Sequence, residues 1–301
     1  MVGKLRVGVV NRYTPEKRRN YPLGLAIERA GAVFVPIDVR DIAASIGRHG
    51  GLDVRVAGDL QPDTSLGDLQ VDGIAWRVSE ATFNDYACIQ HLLAGHYIVV
   101  NDWECASTCA DKWRTSERLA AAGIQVVPTT LLTPGMKVPR FATGTDTVIK
   151  PCVGAGGEGV RLAKAGSDPA ITEPHIAQPL IGGTFEDQVR TMVCGLKDVF
   201  AMIREPGQRT RGESLKVNNL EAGGRPVPAD PGPVREISLI TASCLGGEVL
   251  GVDLVKWNGD WAVLEVNSSP GIGGVDQVSD EDCYLAAAQS IMNRMRRLTL
   301  R

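Results

Sequence analysis

The chain has 301 residues, of which 44% are hydrophobic and 22% charged, and a formal net charge of −3. That composition is ordinary for a soluble protein and long enough for two or three subdomains around a sizeable core. The small negative charge gives no bulk attraction to nucleic acid, and no apolar run approaches a membrane span, so the expectation is a cytoplasmic protein with neither kind of partner.

Residues 5–11 read as a first parallel strand, which also argues against a signal peptide. Residues 23–30 read as an amphipathic helix ended by Gly31, and residues 32–38 as a second strand. The alternation continues through residues 73–77 and 97–101, giving a small open α/β domain of Rossmann-like type. The turn after the first strand reads Asn11-Arg12-Tyr13-Thr14-Pro15 instead of Gly-x-Gly-x-x-Gly, so no dinucleotide is expected there. The basic run Lys17-Arg18-Arg19 reads as a solvated loop, with an acceptor-binding edge as the sharper alternative. Residues 111–122 read as a helix with Gly123 as its C-cap. Pro- and Gly-rich stretches at 133–139 and 222–233 read as mobile connections, the second a candidate lid. Residues 284–298 read as a closing helix. Seven cysteines without a secretion signal imply reduced thiols, and Cys105 and Cys109 lack the second pair that a zinc site needs.

Two segments carry chemistry. The first is the apolar run Thr147-Val148-Ile149-Lys150-Pro151, followed by Cys152-Val153-Gly154-Ala155-Gly156-Gly157-Glu158-Gly159. Such a glycine loop lets backbone amides approach a phosphate, and the lysine adds a point charge for the same group. It is not a Walker loop, which ends Gly-Lys-Ser/Thr, and its glycines follow the lysine, unlike those of a protein kinase. A Val-rich stretch resumes after it, which predicts strand–loop–strand.

The second segment runs from Val252-Asp253-Leu254 to Leu264-Glu265-Val266-Asn267-Ser268-Ser269-Pro270-Gly271. It places two carboxylates and a carboxamide on apolar backbones, where charge needs a partner. A hard cation such as Mg²⁺ takes oxygen ligands and shares them with phosphates. Strict alternation would point Ala262, Leu264 and Val266 one way and Val263, Glu265 and Asn267 the other. A two-residue Asn258-Gly259 turn would set Asp253 opposite Leu264, and a three-residue loop would set it opposite Glu265. A shared metal requires the second register.

Together these motifs resemble the ATP-grasp superfamily, and within it the RimK-like carboxylate–amine ligases, over roughly residues 101–291. The resemblance implies an α/β fold, α+β in its catalytic half: a Rossmann-like domain at 1–108, then an ATP-grasp fold with subdomains at 109–178 and 179–301. It implies ATP with two Mg²⁺ ions, which Mn²⁺ can replace, small-molecule carboxylate and amine substrates, and it allows a homo-oligomer. By motif it assigns Lys112 and Lys150 to the nucleotide phosphates, and Gly154, Gly157 and Gly159 to the loop that closes over them. It assigns Gln178, Pro179 and Leu180 to the adenine hinge and Asp187 to the nucleotide. The metal ligands are then Asp253, Glu265 and Asn267. Arg190, Lys216 and Asn218 fall to catalysis. Three departures stand out. Pro179 replaces the hinge glutamate and removes an N–H, leaving Leu180 to supply it. Gln188 stands where the family has an acid, so a one-residue bulge is needed to bring in Asp187. Ala222 replaces an arginine that holds the acyl phosphate, with Arg204, Arg209 or Arg211 as candidates to compensate. The implied activity is an ADP-forming acid–amino-acid ligation, adding an amino acid such as glutamate to a small-molecule or coenzyme acceptor, with modification of a protein or carrier-protein substrate, or nucleotide binding without ligation, as the alternatives.

Overall fold

The computed structural model describes residues 3–300 except 15, 17, 19, 47–51, 57–63, 66–69, 80–81, 140, 142–145, 155, 166, 168, 183 and 206–223. The chain divides into two compact units, Met1–Trp103 with Tyr284–Arg301, and Glu104–Cys283.

The first unit is built on β1 (Arg6–Asn11), α1 (Pro22–Arg29), β2 (Val33–Asp38), β3 (Ile42–Ile46), β4 (Leu52–Val56), β5 (Thr64–Ser65), β6 (Gly73–Trp76), α2 (Phe83–Ala94) and β7 (Val99–Val100). Strands β2-β1-β6-β7 form a parallel sheet in that order. Val7, Val9, Val10, Ile74 and Ala75 are all buried, as strands covered on both faces require. The expected α/β alternation therefore holds, but between β2 and β6 the chain adds a separate antiparallel sheet, β3-β4-β5.

The second unit opens with α3 (Trp103–Ala110) and α4 (Lys112–Ala121). Asp111 caps α4 by accepting from the N–H groups of Trp113 and Arg114 at 2.9 and 3.2 Å, the preferred way to satisfy a helix start. Strands β8 (Thr130–Leu132), β9 (Thr147–Pro151), β10 (Arg161–Ala163) and β11 (His175–Pro179) make one antiparallel sheet in the order β10-β9-β11-β8. Arg161 lies opposite Ile149, so the glycine segment is the strand–loop–strand turn that the sequence predicts. The second sheet contains β12 (Gln188–Cys194), β13 (Asp198–Glu205), β14 (Arg225–Pro228), β15 (Val249–Trp257) and β16 (Asp260–Asn267), in the order β14-β13-β12-β15-β16.

One face of this second sheet packs on α4 and α5 (Gly232–Leu245) through Leu119, Val234, Ala242, Leu245, Leu250, Val252, Leu254, Val263 and Val266. Thr191 and Ser238 share a buried hydrogen bond of 2.9 Å across that contact. The other face carries the polar side chains discussed below. The expected mobile connection at 222–233 is corrected where it is described: Arg225–Pro228 pairs with β13, and Gly232 already begins α5. Its Pro and Gly content masked these elements, because Pro is tolerated on an edge strand and at a helix start. After α6 (Gly273–Asp276), α7 (Cys283–Thr299) returns to the first unit, where Met295 lies against Gly73. Among the described residues no helix is long and apolar enough to cross a membrane.

Candidate active site

The turn between β15 and β16 is a two-residue one. Trp257 faces Asp260, and both central residues have positive φ, 52° at Asn258 and 93° at Gly259. These are the demands of a type I′ hairpin turn, which Asn-Gly meets. Asp253 nevertheless faces Glu265, because the ladder shifts between Leu254↔Val263 and Asp253↔Glu265. Leu264 is the extra residue of a β-bulge. Turn length and register were thus decoupled, and neither simple alternative is right on its own. The expected alternation is corrected too: Val263 and Val266 share the helix-covered face, while Ala262 and Leu264 pack with Val127 and Val255 on the other. The bulge carries Glu265 and Asn267 to that other face, with Asp253.

Asp253 is buried and fully engaged. Arg190 grips it with Nε on Oδ1 and Nη2 on Oδ2, both at 2.5 Å, and Arg204 Nη2 donates to Oδ1 at 2.5 Å. Burial by itself would raise the Asp253 pKa, but the two guanidiniums outweigh it and hold it at about 2. Burial lowers the pKa of Arg204, and Asp253 opposes that. Charge-assisted, bidentate pairing of this kind fixes both partners. Arg190, assigned from the sequence to catalysis, is thus tied to Asp253, a contact the sequence did not anticipate, and Arg204, reserved only as a substitute, shares it.

Lys150, on β9, has its pKa lowered by burial; Glu265 opposes the shift, Lys112 adds to it and Asp253 opposes it. Glu265, Lys112 and Asp253 are therefore within electrostatic reach of Lys150, although the two acids lie on the other sheet and Lys112 begins α4. Lys112 donates its backbone N–H to Cys152 O at 2.8 Å and its Nζ to Gly154 O. This binds the start of α4 to the glycine loop. In that loop Gly154, Gly156, Gly157 and Gly159 all have positive φ, a conformation that side chains disfavour. Burial pushes the Cys152 thiol up to about 11, so it is protonated at neutral pH.

The hinge residues behave differently from expectation. The Gln178 side chain accepts from Lys150 Nζ at 2.8 Å and donates to Thr129 Oγ1 at 3.0 Å. Leu180 does not offer a spare N–H: it donates to Asp146 O at 2.8 Å. With Pro179 lacking the group altogether, the first N–H left for a base edge belongs to Ile181. Asp187 lies on the turn before β12, accepts from Thr184 N at 3.1 Å and pairs with Lys256 at 3.3 Å. The Thr184 and Lys256 contacts lower its pKa, and neither ties it to the acid–arginine cluster. Lys216, Asn218, Arg209, Arg211 and Ala222 lie outside the described residues.

The donor set fits a hard cation. Asp253, Glu265 and Asn267 each place a side-chain oxygen on one face, and the Asn267 Nδ2 is buried without a hydrogen-bond partner among the described residues. The described residues contain no group of three or more His, Cys, Asp or Glu side chains able to hold a metal. Two carboxylates and an amide suit an ion that completes its shell with phosphates and water. Asp253 must exchange an arginine contact to take part.

Two antiparallel sheets that bring paired lysines, a glycine loop and an acidic hairpin together define the class of ATP-grasp proteins. The fold agrees with solved structures of that class. The RimK domain ATP-grasp protein of Sphaerobacter thermophilus DSM 20745 aligns with a TM-score of 0.62 at 17% identity, covering 95% of this chain and 98% of that one. The D-alanine–D-alanine ligase of Bacillus anthracis aligns at 0.63 and 15% identity, covering 98% of each. The model of the RimK-like ATP-grasp domain matches residues 109–291, and the chain belongs to that family. A probable alpha-L-glutamate ligase of Xanthomonas oryzae pv. oryzae (strain MAFF 311018) is 34% identical over 209 residues, covering 62% of this chain. The match spans 66% of that relative, just short of two thirds of its length.

Proposed function

We propose that this protein is an ATP- and Mg²⁺-dependent carboxylate–amine ligase that makes an amide through an acyl phosphate. It adds an amino acid such as glutamate to a small-molecule or coenzyme acceptor. The observation that carries this reading is that Lys112, Asp253 and Glu265 all act electrostatically on Lys150, with Lys112 bound to the glycine loop and Asp253 facing Glu265. The name of the Xanthomonas relative supports glutamate as donor.

A carboxylate resists amines because oxide is a poor leaving group, and phosphorylation replaces it with phosphate. Such transfer needs charge neutralisation and positioning more than covalent help. Lys112 and Lys150 bind phosphate oxygens, and Gly154, Gly157 and Gly159 let the loop close over them and exclude water. Asp253, Glu265 and Asn267 would hold the Mg²⁺ through their side-chain oxygens. Bound Mg²⁺ supplies further neutralisation of the transferring phosphoryl group. Arg190, with Arg204 as it leaves Asp253, orients the acyl phosphate, joined by Lys216 and Asn218. The base edge meets the carbonyls of Pro179 and Leu180 and the N–H of Ile181, with Gln178 behind them and Asp187 at the nucleotide rim.

The test is ADP and phosphate release with ATP, Mg²⁺ and a panel of amino acids, alone and paired with amines, with products read by mass spectrometry. Amino-acid-dependent ADP release with a new amide is expected. ADP release with no amide under any pairing would overturn amide ligation.

A further inference from the structure

Lys150 reaches Gln178 at 2.8 Å, and Gln178 reaches Thr129 at 3.0 Å. Thr129 in turn donates its hydroxyl proton to Val127 O at 2.7 Å. A threonine hydroxyl has one proton to give. Once that proton is on Val127, only lone pairs face Gln178, so the amide must turn its NH₂ to Thr129 and its oxygen to Lys150. The orientation of the Gln178 amide is therefore fixed from both ends, by the donor-only Lys150 ammonium and by the lone pairs of Thr129. A flipped amide would set NH₂ against NH₃⁺, donor against donor.

The chain of bonds continues into the other sheet. Val127 N–H donates to Val263 O at 3.1 Å, and Val263 N–H donates to Gln125 O at 2.9 Å. Val263 lies two positions before Glu265 on β16. Lys150 is thus linked across the two sheets to the backbone of Val263 on the acidic strand.

We propose that Thr129 is a positioning residue for the nucleotide: it locks the Gln178 amide, which holds the Lys150 ammonium in register with the acidic strand. This rests on the reading of Lys150 as a phosphate-binding group. Gln178 is 2% exposed, so water cannot readily replace a lost contact, and a buried polar group left without its partner is costly. A neutral amide acceptor also adds no negative charge of its own beside the ammonium, which a carboxylate at the same place would.

Equilibrium binding of Mg-ATP to the full chain, measured by calorimetry beside unfolding midpoints, tests this. Thr129→Val keeps the shape and removes the hydroxyl; it should weaken ATP binding about tenfold, near the upper worth of one neutral hydrogen bond, and Thr129→Ser should restore it to within about twofold. Gln178→Met removes the acceptor itself and should give at least the Thr129→Val loss, which keeps the test decisive if that variant folds poorly. In a Lys150→Met background Thr129→Val should add nothing, because the residues act as one unit. Wild-type affinity in Thr129→Val with a loss in Lys150→Met would overturn the positioning role and leave the reading of Lys150 standing. Wild-type affinity in Lys150→Met would overturn that reading. Additive losses in the double variant, or a loss that serine does not restore and that tracks a lower midpoint, would also overturn the positioning role.

Discussion

Replacing Asp253 with asparagine separates the structural and chemical duties of the acid pair. The carboxylate holds two guanidiniums, and the Arg190, Arg204 and Asp253 side chains are only 14%, 23% and 9% exposed. Held at about 2 against an ordinary 3.8, the carboxylate contributes about 2 kcal/mol at neutral pH through its own ionisation. Asp253→Asn also leaves two buried cations facing each other, and removing one partner of a buried ionic group costs about 3–5 kcal/mol. The larger figure governs because the arginines cannot neutralise themselves by losing a proton. Urea unfolding followed by circular dichroism should therefore show a loss of about 3–5 kcal/mol for Asp253→Asn. Adding Arg204→Met should recover part of that loss, because one unpaired cation has gone. An Asp253→Asn variant within about 0.5 kcal/mol of wild type, the range of an ordinary surface substitution, would refute the argument.

Three further outcomes follow from the same geometry. Glu265→Gln should unfold at the same urea concentration as wild type, since no ion pair among the described residues reaches Glu265, yet lose about 10²–10³ in ATP-dependent turnover. Near-normal turnover of that variant at saturating Mg²⁺ would remove Glu265 from the metal site. The folded-state pKa of Asp253 lies below its unfolded value, so its contribution is complete above about pH 4 and is lost as pH falls towards 2. Acid titration of the wild type should show that loss and Asp253→Asn should not. Gly159→Ala places a methyl 2.7 Å from Pro151 Cγ at φ +70°; it should cost about 1–3 kcal/mol and raise the KM for ATP, with a wild-type KM arguing against a role for this loop.

Much of the fold and site was legible in the chain. The helix begun at Lys112, the strand–loop–strand around Lys150 and the closing helix follow from local pattern, because glycine φ and amphipathic spacing act over a few residues. The β3-β4-β5 sheet was not legible, since a short antiparallel insertion leaves no period distinguishable from a loop. The role of Thr129 was equally invisible: a lone threonine carries no signal until Gln178 is placed beside it.

The amino-acid sequence by itself determined which groups are available: two lysines, a glycine loop, two carboxylates and an amide, each on its own element. It also determined the Asn258-Gly259 turn, because only residues tolerant of positive φ fit there. Tertiary structure alone decided where those groups point. Cross-sheet packing on both sides of β16 selects a bulge at Leu264, and that single extra residue puts Glu265 opposite Asp253 instead of into the helix-covered core. The same packing decides that Asp253 meets Arg190 and Arg204, and that the Leu180 N–H is spent on Asp146. These are contacts between segments far apart in sequence, and their energies depend on burial that no local pattern encodes.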